Sequence, residues 1–117
     1  MTLHTSPHSK AILTLADFKP PEPMLHDILV AVSTVTGINL RDLTGPWRGM
    51  AHIRARAIYF GLARSLTSKS FPNIGRHCGN RDHTTVMNGY KQFKLKRAAD
   101  EDFNRAVEAV EKLLAPK

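Results

Sequence analysis

The 117-residue sequence has little of several features that mark large protein classes. Its one cysteine, Cys78, excludes an internal disulfide and fits a reducing compartment. No apolar run approaches the ~20 residues that a membrane span requires. The start, Met-Thr-Leu-His-Thr-Ser-Pro-His, lacks the apolar segment of a signal peptide. We therefore expect a cytoplasmic protein, and the length predicts a single folded domain.

Patterns typical of catalytic and metal sites are also scarce. The sequence has no Gly-x-x-x-x-Gly-Lys-Ser/Thr phosphate loop and no evident Ser-His-Asp arrangement. The one close cluster of possible metal ligands is His77 and Cys78 with His83, and its spacing does not bring three or four ligands together. Cys78 is more typical of a buried small hydrophobe than of a nucleophile. We expect no enzyme activity, no metal and no other cofactor.

Acidic residues are few: 10 Asp and Glu stand against 17 Lys and Arg, which gives a formal net charge of +7. The excess is uneven, since residues 50–97 carry ten basic residues and one acidic residue. Such a concentration is expected of a surface that displaces counterions from DNA phosphates. Charge that serves solubility would be spread more evenly. Membrane binding is a poorer match, because the basic residues do not lie along one long helix with a bulky apolar face opposite them.

The chain divides by composition into a tail and a body. Residues 1–23 hold four of the seven prolines and are predicted to form a proline-rich N-terminal tail. The body, residues 24–117, contains several segments with apolar residues at helical spacing. The predicted fold class is all-α, a small helical bundle. Helix-end signals are Gly37 at the end of the first helix, and Asn39 and Ser70 as caps of two short helices.

The segment from Met50 to Leu66 is predicted to be a helix with one buried face. That face is formed by Ala51, Ala55, Ile58, Leu62 and Leu66. The remaining circumference carries three arginines that can reach phosphates, namely Arg54, Arg56 and Arg64.

Residues 79–86 read Gly-Asn-Arg-Asp-His-Thr-Thr-Val and join a tight turn to a polar helix start. Glycine and asparagine are the residue types that most readily adopt positive φ. Asp82, His83 and Thr84 follow in the first helical turn, where a helix in the major groove presents side chains to base edges. This predicts a helix-turn-helix with residues 82–97 as recognition helix. The alternative is a plain capping turn in which Asp82 only accepts from backbone N–H groups.

These motifs resemble a known family. The stretches Arg54-x-Arg56, Ser70-Phe71-Pro72-Asn73-Ile74-Gly75 and Arg81-Asp82-His83-Thr84-Thr85-Val86 are similar to the C-terminal DNA-binding domain of the bacterial replication initiator DnaA. The resemblance runs from about Met24 to the C-terminus. It implies a helical fold that is related to the fold of the Trp repressor. It also implies that the domain binds, as a monomer, to an asymmetric, AT-rich DnaA box in double-stranded DNA.

The resemblance also implies roles for individual residues. Asp82, His83 and Thr84 match positions that contact bases in the major groove. Arg54 matches an arginine that enters the adjacent minor groove, where a narrow A·T groove has an enhanced negative potential. Contacts with the phosphate backbone are expected from six side chains: Arg56, Lys69, Arg81, Thr85, Asn88 and Lys91.

Four positions depart from the family pattern. Asn80 replaces a usual second glycine, and its tolerance of left-handed backbone preserves the turn. Cys78 stands where phenylalanine is common, and Gln92 occupies a position that is often basic. The loop of residues 45–49 has one arginine where relatives carry several basic residues. These differences predict a weaker or relaxed site preference.

The sequence leaves two functional hypotheses. The first is a regulator of replication or transcription that binds DnaA-box-like sites at the nucleoid and has no ATPase activity of its own. The second is an interaction module that binds the initiator or other replication proteins with little DNA sequence specificity. The chain is either a natural stand-alone protein or a domain excised from a longer initiator. The starting Met and the proline-rich tail favour the stand-alone protein.

Overall fold

The computed structural model describes residues 21–115, and this part of the chain folds into helices and connecting turns without a strand. The predicted all-α bundle is therefore confirmed. The helices in chain order are α1 (Leu25–Thr36), α2 (Leu40–Thr44), α3 (Met50–Leu66), α4 (Phe71–Arg76), α5 (His83–Ala99) and α6 (Glu101–Leu114). None of them is long and apolar enough to cross a bilayer.

Most of the predicted tail, residues 1–20, lies outside the described residues. The described remainder of the tail has no regular secondary structure and touches the body at one point. There the Glu22 carboxylate accepts a hydrogen bond from the backbone N–H of Ser68 at 3.1 Å. The last residues before α1 therefore run beside the turn that follows α3.

The predicted end signals of α1 and α2 are confirmed. Gly37 adopts left-handed backbone with φ 78° and donates its N–H to the carbonyl of Ser33, which closes α1. Asn39 caps α2, because its side chain accepts from the backbone N–H of Asp42 at 2.8 Å. Helix ends that depend on such local chemistry are readable from the sequence.

Helix α3 lies at the centre of the bundle, and its predicted one-sided burial was wrong. Residues 55–63 are all buried, because α1, α2, α4 and α5 pack around the helix from different directions. A helix that is buried on every side has no long solvent face on which to display cations. Arg56 falls within this buried stretch.

Helix α5 packs on α3 through a reciprocal pair of glycines. A Cβ added at Gly61 of α3 would overlap the Phe93 ring of α5. A Cβ added at Gly89 of α5 would come against the Phe60 ring of α3. On each helix, the missing side chain of a glycine therefore leaves space for an aromatic ring of the other helix. This close approach determines how α5 sits on the bundle.

Helix α6 packs on the other side of α5 through one apolar face. Phe103, Val107 and Val110 are buried against α1 and α5. Across the surface, Arg97 of α5 pairs with Glu111 of α6 at 2.7 Å. The C-terminal half of α5 is thus tied to α6. At the other end of α5, residues 82–85 are exposed.

Candidate nucleic-acid interface

The turn before α5 is held by α4. Ser70 caps α4, as predicted, by accepting from the backbone N–H of Asn73. The carbonyl of Gly75 then accepts from the N–H groups of Cys78 at 3.0 Å and Arg81 at 2.9 Å. A Cβ at Gly75 would overlap the Arg81 carbonyl. The backbone of the turn therefore folds directly onto α4 at its glycine.

Two consecutive residues with positive φ reverse the chain direction. Gly79 has φ 70° and Asn80 has φ 56°. Asn80 thus preserves the turn despite replacing a second glycine, as predicted. A Cβ at Gly79 would overlap the carbonyl oxygen of Thr44. The turn between α4 and α5 therefore lies against the C-terminal end of α2.

Asp82 begins the recognition helix as its cap. One carboxylate oxygen accepts from the backbone N–H of Thr84 at 2.9 Å, and the other lies 3.4 Å from Nδ1 of His83. The hydrogen bond from Thr84 lowers the pKa of Asp82, so the carboxylate is ionised at neutral pH. The capping contact of the alternative interpretation is confirmed. A carboxylate has further lone pairs, and capping does not use all of them.

The first turn of α5 faces solvent. The side chains of Asp82 and His83 are 64% and 56% exposed, and Thr84 and Thr85 are exposed as well. Val86 is fully buried beneath them and anchors the turn to the core. The structure therefore brings the three predicted base-contacting side chains together at one exposed helix end.

Three of the predicted phosphate-contacting residues lie around this end. Asn88 and Lys91 are exposed and follow Thr84 at the i, i+4 and i+7 positions of one helix face. Lys69 is exposed in the turn before α4. Beside it lies Arg64, which is exposed and donates to the Lys69 carbonyl at 3.3 Å.

The structure does not favour the predicted phosphate contact of Arg56, because this side chain is buried and only 5% exposed. Its Nε donates to the carbonyl of Leu43 at 2.8 Å. Its Nη2 donates to the carbonyls of Asp42 and Gly45, each at 3.1 Å. Burial and the neighbouring Arg81 lower the pKa of Arg56, but an arginine remains charged at neutral pH. The guanidinium holds the end of α2 instead of DNA.

Arg81 is used in a similar way. Its Nη1 donates to the carbonyls of Cys78 at 2.8 Å and Thr44 at 3.3 Å. Its Nη2 donates to the carbonyl of Gly45. The side chain is half-buried, and these bonds turn its guanidinium inward. These bonds do not favour the predicted contact of Arg81 with the DNA backbone. Here the side chain ties the turn before α5 to the end of α2.

Arg54 lies away from the recognition turn. Its guanidinium pairs with Asp100 at 3.0 Å and stacks over the Phe103 ring at 5.4 Å. Asp100 follows the last residue of α5, so Arg54 sits near the opposite end of that helix from His83. The structure does not favour the predicted insertion of Arg54 into a groove next to the bases.

Arg48 is a further candidate DNA contact, which the sequence pattern did not predict. It is exposed in the loop of residues 45–49 and lines a groove of about 960 Å³ together with Thr85, Asn88 and Lys96 of α5. Within residues 21–115 it makes no hydrogen bond or ion pair. A lone arginine in a loop gives no periodic signal, and only the fold shows that this loop lies beside α5.

His77, Cys78 and His83, the close cluster of possible ligands in the sequence, have separate surroundings in the structure. Cys78 is fully buried, and burial raises the pKa of its thiol. His77 lies against the carbonyl of Asn73, and His83 lies against Asp82. No three His, Cys, Asp or Glu side chains between residues 21 and 115 converge on a possible metal position.

Comparisons with known proteins agree with this geometry. The profile of the bacterial DnaA protein helix-turn-helix matches residues 25–92. The chromosomal replication initiator proteins DnaA of Ruegeria pomeroyi, Acinetobacter baylyi and Gluconobacter oxydans are each 38% identical to this chain over 90 residues. The match covers 77% of this chain but 19% of each of these relatives.

The chain therefore spans about one fifth of the length of the curated relatives it matches. The profile match includes α1 to α4 and the first ten residues of α5, from His83 to Gln92. It thus contains most of the core, the tight turn and the exposed helix end described above. This chain belongs to the bacterial DnaA helix-turn-helix family.

Proposed function

We propose that this protein binds double-stranded DNA at specific, AT-rich sites similar to DnaA boxes. As a member of the DnaA helix-turn-helix family it is a DNA-binding protein of replication initiation. Sequence specificity is the step beyond family membership. The observation that carries it is the exposed polar turn formed by Asp82, His83 and Thr84 at the start of α5.

The chemistry of this turn suits the major groove. A carboxylate accepts from a cytosine amino group, an imidazole donates or accepts, and a threonine offers a hydroxyl and a methyl. Their backbone is pre-organised, because Gly75, Gly79 and the Asp82 cap determine where α5 begins. A rigid helix end loses little conformational entropy when it enters a groove.

Phosphate contacts are assigned to exposed residues around that end. On α5 these are Thr85, Asn88 and Lys91, and Lys69 lies before α4. We add Arg48, because it faces α5 across the groove beside Thr85. Arg48 also replaces Arg54 as the candidate for insertion into the adjacent minor groove, where an arginine is attracted by a narrow A·T tract.

The proposed biological consequence is the occupancy of initiator sites. The 117 residues of this sequence contain no phosphate-loop motif, so we assign no ATPase activity to them. Bound as a monomer to an asymmetric box, the protein would occupy sites of the replication initiator at the nucleoid. Such occupancy regulates replication from those sites, or transcription where the sites lie in promoters.

The test is a comparison of two duplexes of equal length and base composition, one with a DnaA-box sequence and one with the same bases scrambled. We expect an affinity difference of at least ~1 kcal/mol for each disrupted base contact. Affinity for both duplexes should fall with salt by about 0.9 logarithmic units per phosphate contact and per tenfold increase in salt. Fluorescence anisotropy over a salt series measures both. Equal affinity for the two duplexes would contradict the proposal and favour the protein-interaction module.

A further inference from the structure

Two arginines of the basic segment take no part in the proposed DNA contacts. Arg56 and Arg81 direct their guanidinium groups into the protein, where they form no ion pair with any carboxylate of residues 21–115. We propose that Arg56 and Arg81 are positioning residues that hold the loop of residues 45–49 so that Arg48 is presented to the DNA beside α5. This inference rests on the proposed function.

The end of α2 needs partners for its carbonyls. The helix has five residues, and its C-cap Gly45 has φ −88° and ψ −172° rather than the left-handed backbone of a Schellman cap. The last carbonyls of a helix lack intrahelical partners and carry a partial negative charge. The carbonyls of Asp42 and Leu43 accept from Arg56, and that of Thr44 accepts from Arg81.

Both guanidinium groups converge on one atom, the carbonyl oxygen of Gly45. Arg56 comes from α3, which follows the loop, and Arg81 comes from the turn before the recognition helix. The first residue of the loop is therefore fastened to two elements at once. We call this arrangement the Gly45 clamp.

Stability alone does not account for two cations in this place. Taking a charge out of water costs free energy, and a buried ionic group is often no more stabilising than an apolar residue of similar volume. The neighbouring positive charges of Arg56 and Arg81 also repel each other. What the fork-shaped guanidinium supplies, and an apolar side chain does not, is several directed hydrogen bonds to fixed carbonyls.

The clamp acts three residues before Arg48. From Gly45 the chain passes through Pro46 and Trp47 to Arg48, and α3 begins at Met50. The loop is thus held at its start by the clamp and at its end by the buried helix. Without the clamp the loop is held at one end, and Arg48 loses its defined place in the groove along α5.

The experiment is a double-mutant cycle between the clamp and Arg48. Arg56→Lys keeps the positive charge but removes the planar guanidinium and its several N–H donors. Arg48→Ala removes the proposed DNA contact. We expect Arg48→Ala to weaken binding to the box duplex and to lower the salt slope by about one. Arg56→Lys should reproduce both changes, and the double variant should bind no more weakly than Arg56→Lys alone.

A charge-matched control separates position from net charge. Arg54→Ala removes one positive charge from the same helix, but at the Asp100 end of α5. We expect it to leave the salt slope within about 0.3 of the original value, since a distant charge releases no counterion at the interface. If Arg54→Ala lowered the slope as much as Arg48→Ala, general charge would explain the data and the positioning role would be overturned.

A second measurement needs no DNA. Trypsin cleaves after exposed arginines in mobile loops, so the rate of cleavage after Arg48 reports how firmly the loop is held. We expect severalfold faster cleavage after Arg48 in Arg56→Lys than in the unchanged protein, at a temperature where circular dichroism shows both to be folded. Arg81→Lys provides the same two tests if Arg56→Lys does not fold.

The two readouts distinguish the clamp from the proposed function. Unchanged cleavage after Arg48, or affinity losses that add fully in the double variant, would overturn the clamp. If the unchanged protein had no preference for the box duplex, the proposed function would fail. In that case faster cleavage would still demonstrate that Arg56 holds the loop.

Discussion

His83→Ala is expected to remove most of the preference for a DnaA-box duplex while leaving affinity for a scrambled duplex nearly unchanged. The His83 side chain is 56% exposed in the first turn of α5, and its Nδ1 lies 3.4 Å from the Asp82 carboxylate. A lost base contact costs roughly 1 to 3 kcal/mol, which corresponds to about a 5- to 150-fold fall in the affinity ratio. Anisotropy titrations of both duplexes with the variant measure this ratio.

The matched control for this variant is His26→Ala. His26 is an exposed histidine on α1, which packs against α2, α3 and α6 rather than against the turn. It should leave both affinities within about twofold, as expected of a surface residue outside an interface. A His83→Ala protein that lost affinity equally for both duplexes would show that His83 does not read bases.

Gly61→Leu is expected to cause a large loss in the free energy of unfolding. The new side chain would occupy the place of the Phe93 ring, and α5 would have to move off α3. Overpacking of a core costs about 1 to 3 kcal/mol and sometimes more. In a domain of this size that predicts a fall in Tm of roughly 4 to 24 °C. Thermal unfolding followed by circular dichroism tests it.

Ala51→Leu is the control for added bulk, because Ala51 is exposed near the start of the same helix. Its effect on the free energy of unfolding should stay within about 0.5 kcal/mol. Gly61→Leu should also weaken binding to every duplex, since α5 carries the proposed reading turn. A Gly61→Leu protein with an unchanged Tm would mean that the two helices do not pack at this glycine.

The helices and their ends were largely predictable from the sequence, because their signals are local. Met50–Leu66 begins and ends as its apolar pattern predicts. Asn39, Ser70 and Gly37 act at the helix ends where their side-chain and backbone preferences place them. Cys78, predicted to be a buried small hydrophobe, is fully buried.

The use of each arginine was not predictable, because its partners are distant in sequence. Arg56 donates to carbonyls 11 to 14 residues away, and Arg54 pairs with a carboxylate 46 residues away. Periodicity within a helix cannot show that the end of another helix needs donors. The ten basic residues of residues 50–97 therefore include both arginines that bind carbonyl or carboxylate groups of the protein and candidate DNA contacts.

The candidate base-reading site was more accessible to sequence reasoning than the phosphate contacts. Asp82, His83 and Thr84 are adjacent in the chain, and the preceding turn chemistry indicates that a helix begins there. The contribution of Arg48 depends on the close approach of the 45–49 loop to α5, which the fold creates. Their roles in DNA binding stay predictions.

The central claim is that the N-terminal turn of α5 enters the DNA groove. Its most direct test is an NMR titration of the ¹⁵N-labelled protein with a DnaA-box duplex, following each backbone amide. The account predicts that the largest shifts occur at residues 82–85 and in the 45–49 loop, with little change along α6. Shifts concentrated on α6 or α1, with residues 82–85 unaffected, would contradict it.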